Sequence, residues 1–370
     1  MNPRHHASRH RLVAVAVFGS AALAAQTFQA PGSGLRAPAN QRPNPEARSP
    51  KPEARHALAP PKPAEPAKRG WSPVRTPWGD PDLQGAYTNK DENGIPMERP
   101  SQFQGKTIDQ VQQAELAEIV RQRQQDATER APGIGGAETG AGPVHWYEYY
   151  GAKNSRPWLI VDPADGRIPS LTPEAQQRAA ALQTARQGRG DADSPDDRSL
   201  YDRCITRGVP GSMMPAIYGN SYQIVQSPGF VAIRYEMIHE TRVIPLDGRP
   251  HVDKDLRLYM GDPRGHWENN SLVVETTNFN GRMSADIVGY GSPDRGASQQ
   301  LRILERFTPV NPTTVEWSVT LDDPHTWTRP WTFVMNLTKD DTQAVYEYGC
   351  HEGNYGLSNI LSAARAEESR

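Results

Sequence analysis

The 370-residue chain reads as a mainly β protein, an antiparallel meander that closes into a barrel, with helical insertions before it and a short C-terminal helix. Three observations carry that expectation. Short runs of strand-forming residues recur from about residue 220 onward with turn residues between them. In 313–321 apolar and polar side chains alternate: Thr313, Val315, Trp317, Val319 and Leu321 fall on one face and Thr314, Glu316, Ser318 and Thr320 on the other. Helical periodicity is confined to about 105–200 and the last residues. Closing such a meander removes its exposed edges, although a curved sheet or a sandwich is the rival arrangement.

The chain divides into three by composition. Arg4, Arg9 and Arg11 precede the apolar run Leu12–Ala25, and Ala22-Leu23-Ala24 offers the small residues of a peptidase site. This predicts a Sec-type signal peptide over 1–25, the run being too short to span a bilayer. An uncleaved anchor is the competing reading. Residues 26–70 form a Pro/Ala-rich spacer with almost no large apolar side chains, a composition that cannot offset the entropy of ordering and predicts disorder. The remainder, 71–370, is expected to be a single β-rich domain. The formal charge of −2 hides a basic leader and spacer, so the folded part is acidic, which argues against nucleic acid as a partner. Outside the first thirty residues there is no apolar run of about eighteen, so no transmembrane segment is expected once the signal is removed.

Within the domain, Leu83–Thr88 predicts a first strand after the turn-rich stretch Thr76–Pro81. A helix is expected at about 107–128, with Thr107 and Gln110 spaced as a capping box ahead of the stripe Ile108, Val111, Leu116, Ile119 and Val120. Trp158–Val161 predicts a strand, and Thr172-Pro173 the start of a helix that Gly188 ends. Tyr222–Gln226 and Phe230–Met237 predict a hairpin, Arg242–Leu246 a strand, and Gly265–Glu268 with Ser271–Thr277 a tight hairpin turned by Asn269-Asn270. Trp331–Leu337 repeats the alternation, Tyr346–Tyr348 reads as a last strand, and Ser358–Glu367 as the terminal helix.

The segments Thr76–Gly85, Tyr235–His239, Met260–Glu268, Val273–Phe279 and Cys350–Gly356 together resemble a large group of secreted bacterial proteins of uncharacterised function, over roughly 71–368. That resemblance implies a compartment and brings no reaction. In a general way the meander also resembles lipocalin-like barrels, which implies room for one small ligand and, as fold analogy, no activity.

Cys204 and Cys350 are the only two cysteines in a chain expected to be periplasmic or secreted, and a disulfide between them is the leading reading. A reactive thiol beside His351 is the sharper alternative. The five His of the β region lack the local spacing of a zinc site, so no metal is expected. His239 would end an inward stripe with Val231, Ile233, Tyr235 and Met237 if the strand stays regular to that point, which suits a general acid or base. Ile238–Thr241 forming a turn would break that parity. His351 and Glu352 lie in the densest polar cluster, followed by Tyr355. Trp327 and Arg329 occupy a long hairpin tip and Trp267 a strand end, where each could line a pocket. No phosphate loop, nucleophile elbow or dinucleotide fingerprint occurs, so no cofactor is expected.

The first functional expectation is an exported, cofactor-independent enzyme of lyase, isomerase or hydrolase type acting on a small organic or sugar-like substrate. His239 and Tyr235 would be its acid–base pair, His351 with Glu352 a second proton-transfer or orienting pair, and Arg242 or Arg329 the oxyanion partner, with Trp327, Arg329, Tyr355 and Trp267 binding substrate. The alternatives are a non-catalytic periplasmic barrel that binds a small ligand, and an envelope structural protein.

Overall fold

A computed structural model describes residues 71–129, 155–216, 218–282, 296–342, 344–352 and 355–369, without the side chains of 124–129 and His239. The expected signal peptide and spacer lie outside the described residues. Ten strands carry the fold: β1 (Gly85–Thr88), β2 (Ile160–Asp162), β3 (Ser221–Ser227), β4 (Phe230–Tyr235), β5 (Thr241–Pro245), β6 (Asp262–Glu268), β7 (Ser271–Thr277), β8 (Arg302–Asn311), β9 (Thr314–Asp322) and β10 (Trp331–Lys339). Three helices accompany them, α1 (Gln113–Glu129), α2 (Pro173–Ala185) and α3 (Gly356–Glu368).

The sheet runs β5-β4-β3-β1-β10-β9-β8-β7-β6, every pair antiparallel, with β2 added beside β10. Read as a ring, β1 follows β10 and then β3, β4 and β5, so apart from β2 the strands keep chain order and form an up-and-down barrel. The ring lacks one ladder, between β5 and β6. There the gap is filled by side chains: a Cβ on Gly265 of β6 would lie 2.6 Å from Leu246 Cδ2 and 2.8 Å from Ile244 Cγ2. Glycine at 265 therefore lets the two sheet ends meet.

Parity decides which side chains fill the interior. Tyr222 and Ile224 of β3, Val231, Ile233 and Tyr235 of β4, and Ile244 of β5 are almost wholly buried. Ile303 and Phe307 of β8, Val315, Trp317, Val319 and Leu321 of β9, and Trp331, Phe333, Met335 and Leu337 of β10 join them in one core. Phe333 meets the Trp317 ring edge-on, with centroids 5.6 Å apart. Outward positions on β3 to β8 carry Gln223, Arg234, Arg264, His266, Arg302 and Arg306. An apolar interior behind a polar exterior is the reverse of a membrane barrel. Among the described residues no helix is long and apolar enough to cross a membrane.

Several elements differ from expectation. The Thr107–Gln110 capping box forms, with the Thr107 N–H donating to the Gln110 side chain at 2.8 Å, but it starts a single 3₁₀ turn; Val111 is extended and α1 begins at Gln113. Strand β4 stops at Tyr235, because Ile238 adopts φ 59° inside a one-turn 3₁₀ segment, Met237–His239. Residues 346–348 form no strand: β1 already fills the ladder between β3 and β10, and the sheet ends of β5 and β6 face each other. This segment is instead fastened by a disulfide between Cys204 and Cys350, closing a loop of 146 residues. In the chain-entropy picture, cross-linking a loop of that size contributes up to about 5 kcal/mol. Strand β8 has no counterpart among the expected strands. Its inward face includes Glu305 and Pro309 and its outward face Leu304, which spoils the alternation.

Since the seam depends on the missing side chain at 265, Gly265→Val should drive a branched group into Ile244 and Leu246. The expected loss is about 1–3 kcal/mol in urea denaturation, with little change on Gly349→Ala, an exposed glycine outside the left-handed region where an added Cβ would meet nothing closer than Glu352 at 3.4 Å.

Candidate functional site

Two charged side chains sit on the apolar inner face. Arg242 lies between Ile233 and Ile244 in the wall of β4 and β5, and Glu305 lies between Ile303 and Phe307 on β8. Their side chains are 2% and 0% exposed, and Arg242 Nη2 is 2.5 Å from Glu305 Oε2. The same Nη2 donates to Thr276 Oγ1 of β7 at 2.5 Å, and Trp317 Nε1 donates to Glu305 Oε1 at 3.2 Å. Arg242 thus spans from one end of the open sheet to strands near the other.

Burial pushes the Tyr235 phenol up to about 12, while the adjacent Arg242 guanidinium pulls it down. Burial also works against the charge on Arg242, but Glu305 and then Tyr235 outweigh it and hold the guanidinium above its ordinary value. At neutral pH the site holds a guanidinium and a neutral phenol beside the Glu305 side chain in an apolar enclosure. The donor count is not balanced. Arg242 Nε and Nη1 are buried with no well-aligned acceptor, the Tyr235 oxygen lying close by, and the indole Nε1 atoms of Trp331 and Trp267 are likewise unmatched, against the single acceptor Glu305 Oε2, which is ion-paired with Arg242. Unpaired buried donors are rare and costly, so each asks for an acceptor.

The sequence-predicted residues fall in different places. Tyr235 and Arg242 meet inside the barrel. His239 belongs to the 3₁₀ turn after β4, and its side chain lies outside the described residues. His351, Glu352 and Tyr355 are exposed on the C-terminal segment beyond the disulfide. Trp327 is buried and packs edge-on against Trp331 at 5.6 Å, and Arg329 is exposed and pairs with Asp162 at 2.9 Å. Trp267 packs against the core from β6. Sequence reasoning missed Glu305, Thr276 and Trp317 as site residues. The signal for Glu305 is a carboxylate at an inward position between Ile303 and Phe307, legible only once β8 is recognised.

Other ionisable clusters lie on the outer side of the wall. His251 Nδ1 is 3.0 Å from Asp262 and its Nε2 is 3.3 Å from Glu275, while Arg264 pairs with Asp262 and Arg302 with Glu275. Glu275, then Asp262, raises the His251 pKa against the effect of burial. Together with Val252 N–H donating to Asp262 at 2.9 Å, this ties the connection between β5 and β6 onto the seam strands. Glu92 accepts from Ser155 Oγ at 2.7 Å near Arg156, which itself pairs with the outward Glu316 at 2.9 Å. Burial raises the Glu92 carboxyl to about 7. No group of three or more His, Cys, Asp or Glu placed to hold a metal ion occurs among the described residues.

No family model matches the chain, and no curated protein matches it. Among solved structures, a secretary abundant heat soluble (SAHS) protein from Ramazzottius varieornatus is similar over 38% of this chain and 87% of that one, at 10% identity and a TM-score of 0.22. The barrel stands on the strand pairing rather than on that likeness.

Removing one charge of the interior pair leaves the other buried alone. Arg242→Met or Glu305→Gln should each cost about 3–5 kcal/mol in chemical denaturation, and the double variant less than either single one. The Glu92 carboxyl, raised when folded, stabilises the fold below its unfolded value of 4.5 and loses that contribution as pH climbs to about 7. Glu92→Gln should flatten this part of the stability–pH curve, by at most about 3 kcal/mol.

Proposed function

We propose that this protein is an exported, non-catalytic barrel that binds one small, largely apolar molecule in its interior. The observation that carries the reading is the pair of unpartnered donors on Arg242, Nε and Nη1, buried inside an apolar wall. A barrel of this strand number is wide enough either to be filled by side chains or to hold one small ligand. A donor left unpaired in such an interior is costly unless something accepts from it.

Export is supported by the Cys204–Cys350 bridge, which suits an oxidising compartment, and by the apolar leader at 12–25. The resemblance to secreted bacterial proteins belongs to the same reading. An acid–base enzyme gains less support. The interior offers a high-pKa phenol and a guanidinium, whereas Glu92, whose carboxyl burial raises to about 7, lies near Arg156 and the outward Glu316. Efficient proton transfer wants a group that titrates near the working pH within hydrogen-bond reach of the reacting atoms.

Protein isolated from a bacterial periplasm and examined by native mass spectrometry should carry a small-molecule adduct that organic solvent releases. The emptied protein should then take up a neutral apolar fluorophore. A bare chain that takes up no such probe would refute the binding reading, and turnover without a stable complex would return the acid–base one.

A further inference from the structure

Resting on that binding reading, we infer that the interior selects a neutral ligand whose polar end is a hydrogen-bond acceptor, a ketone, ester or lactone carbonyl on an apolar body, and disfavours the matching carboxylate. The chemistry of the unmet groups decides this. Arg242 Nε and Nη1, Trp331 Nε1 and Trp267 Nε1 are donors, against one acceptor without a hydrogen bond on the same face, Glu305 Oε2, which is already ion-paired with Arg242 Nη2. The acceptors are already engaged: Glu305 receives Trp317 Nε1 at one oxygen and faces Arg242 Nη2 at the other, and Thr276 Oγ1 receives Arg242.

Register places these donors in two rows of the wall, one on each side of the row that holds Glu305. Trp331 pairs with Leu321, Leu321 with Ile303, and Ile303 with Thr276, the residue that accepts from Arg242. Trp267 pairs with Leu272, Leu272 with Phe307, and Phe307 with Trp317, whose indole donates to Glu305. A carbonyl carries two lone pairs and no proton, so it complements such a lining.

Charge makes the second half of the selection. Arg242 is already neutralised by Glu305, so a ligand carboxylate would bring a net negative charge into an interior with no second cation among its described inward residues. Burying an uncompensated charge is far costlier than burying a carbonyl that is hydrogen-bonded. An ammonium ligand meets the converse difficulty, since the interior carboxylate is committed.

The test is a matched series titrated into the emptied full chain at neutral pH by calorimetry: a long-chain methyl ketone, the carboxylic acid of equal length and the alkane of equal length. The ketone is expected to bind at least about tenfold more tightly than either of the others. In the Arg242→Met/Glu305→Gln double variant, which leaves no charge unpaired, the advantage of ketone over alkane should shrink to less than about threefold. Glu305→Gln alone leaves Arg242 unbalanced and should strengthen acid binding by about tenfold or more. Acid binding as tight as ketone binding in the unaltered protein, or ketone no tighter than alkane, overturns the selectivity and leaves the binding reading intact. Failure of all three, with no uptake of the neutral fluorophore, overturns both. Should a variant not fold, the ratios in the unaltered protein decide.

Discussion

The pairing of Arg242 with Glu305 is the interaction around which the barrel is arranged. Strands β5 and β6 share no hydrogen-bonded ladder, so backbone bonds do not hold the ring closed at that point. Arg242 reaches from β5 to Thr276 on β7 and Glu305 on β8, bridging the open side from within. Two buried charges need each other, because either one alone in an apolar interior carries a large desolvation penalty. They also oppose a register slip. A shift of one residue in β5 or β8 would carry the charge to the outer face and bring an outward neighbour in.

The closure is reinforced from the other side of the wall by different chemistry. Gly265 gives the seam its close apolar contact with Ile244 and Leu246. On the outer side, His251 set between Asp262 and Glu275 fastens the long connection that runs from β5 back to β6. The disulfide does a similar task for the segment after β10, which pairs with no strand. Connections that a sheet cannot hold through its ladders are held here by ion pairs and a covalent bridge.

This arrangement separates the polar residues into two populations with different prospects. His351, Glu352, Tyr355 and Arg329 are solvated, where charges are screened and hydrogen bonds compete with water. Tyr235, Arg242, Glu305 and Trp317 are enclosed, where each donor and acceptor counts nearly at full strength. The proposed ligand site belongs to the second setting.

Fold class was legible in the residues themselves, since strand parity is a local property. The stripes of β3, β4, β9 and β10 and the Asn-Asn turn before β7 could be read without knowing their neighbours, and Asn269 does take positive φ. Parity also puts Tyr235 on the inward face of β4, whereas the sequence suggests Arg242 only as an oxyanion partner and not as an inward residue. Strand β8 escaped because its inward face carries Glu305, a residue that parity alone assigns to solvent. Its burial makes sense only with Arg242 opposite, 63 positions away in the chain and placed there by barrel closure. The last strand expected at Tyr346–Tyr348 failed on a matter no local pattern records, where the disulfide at Cys350 fastens that segment relative to the sheet. Local sequence determined which way side chains point along each strand. Tertiary structure decided which strands meet, and therefore which isolated charges become a pair, because a buried charge is tolerated only where the fold delivers its partner.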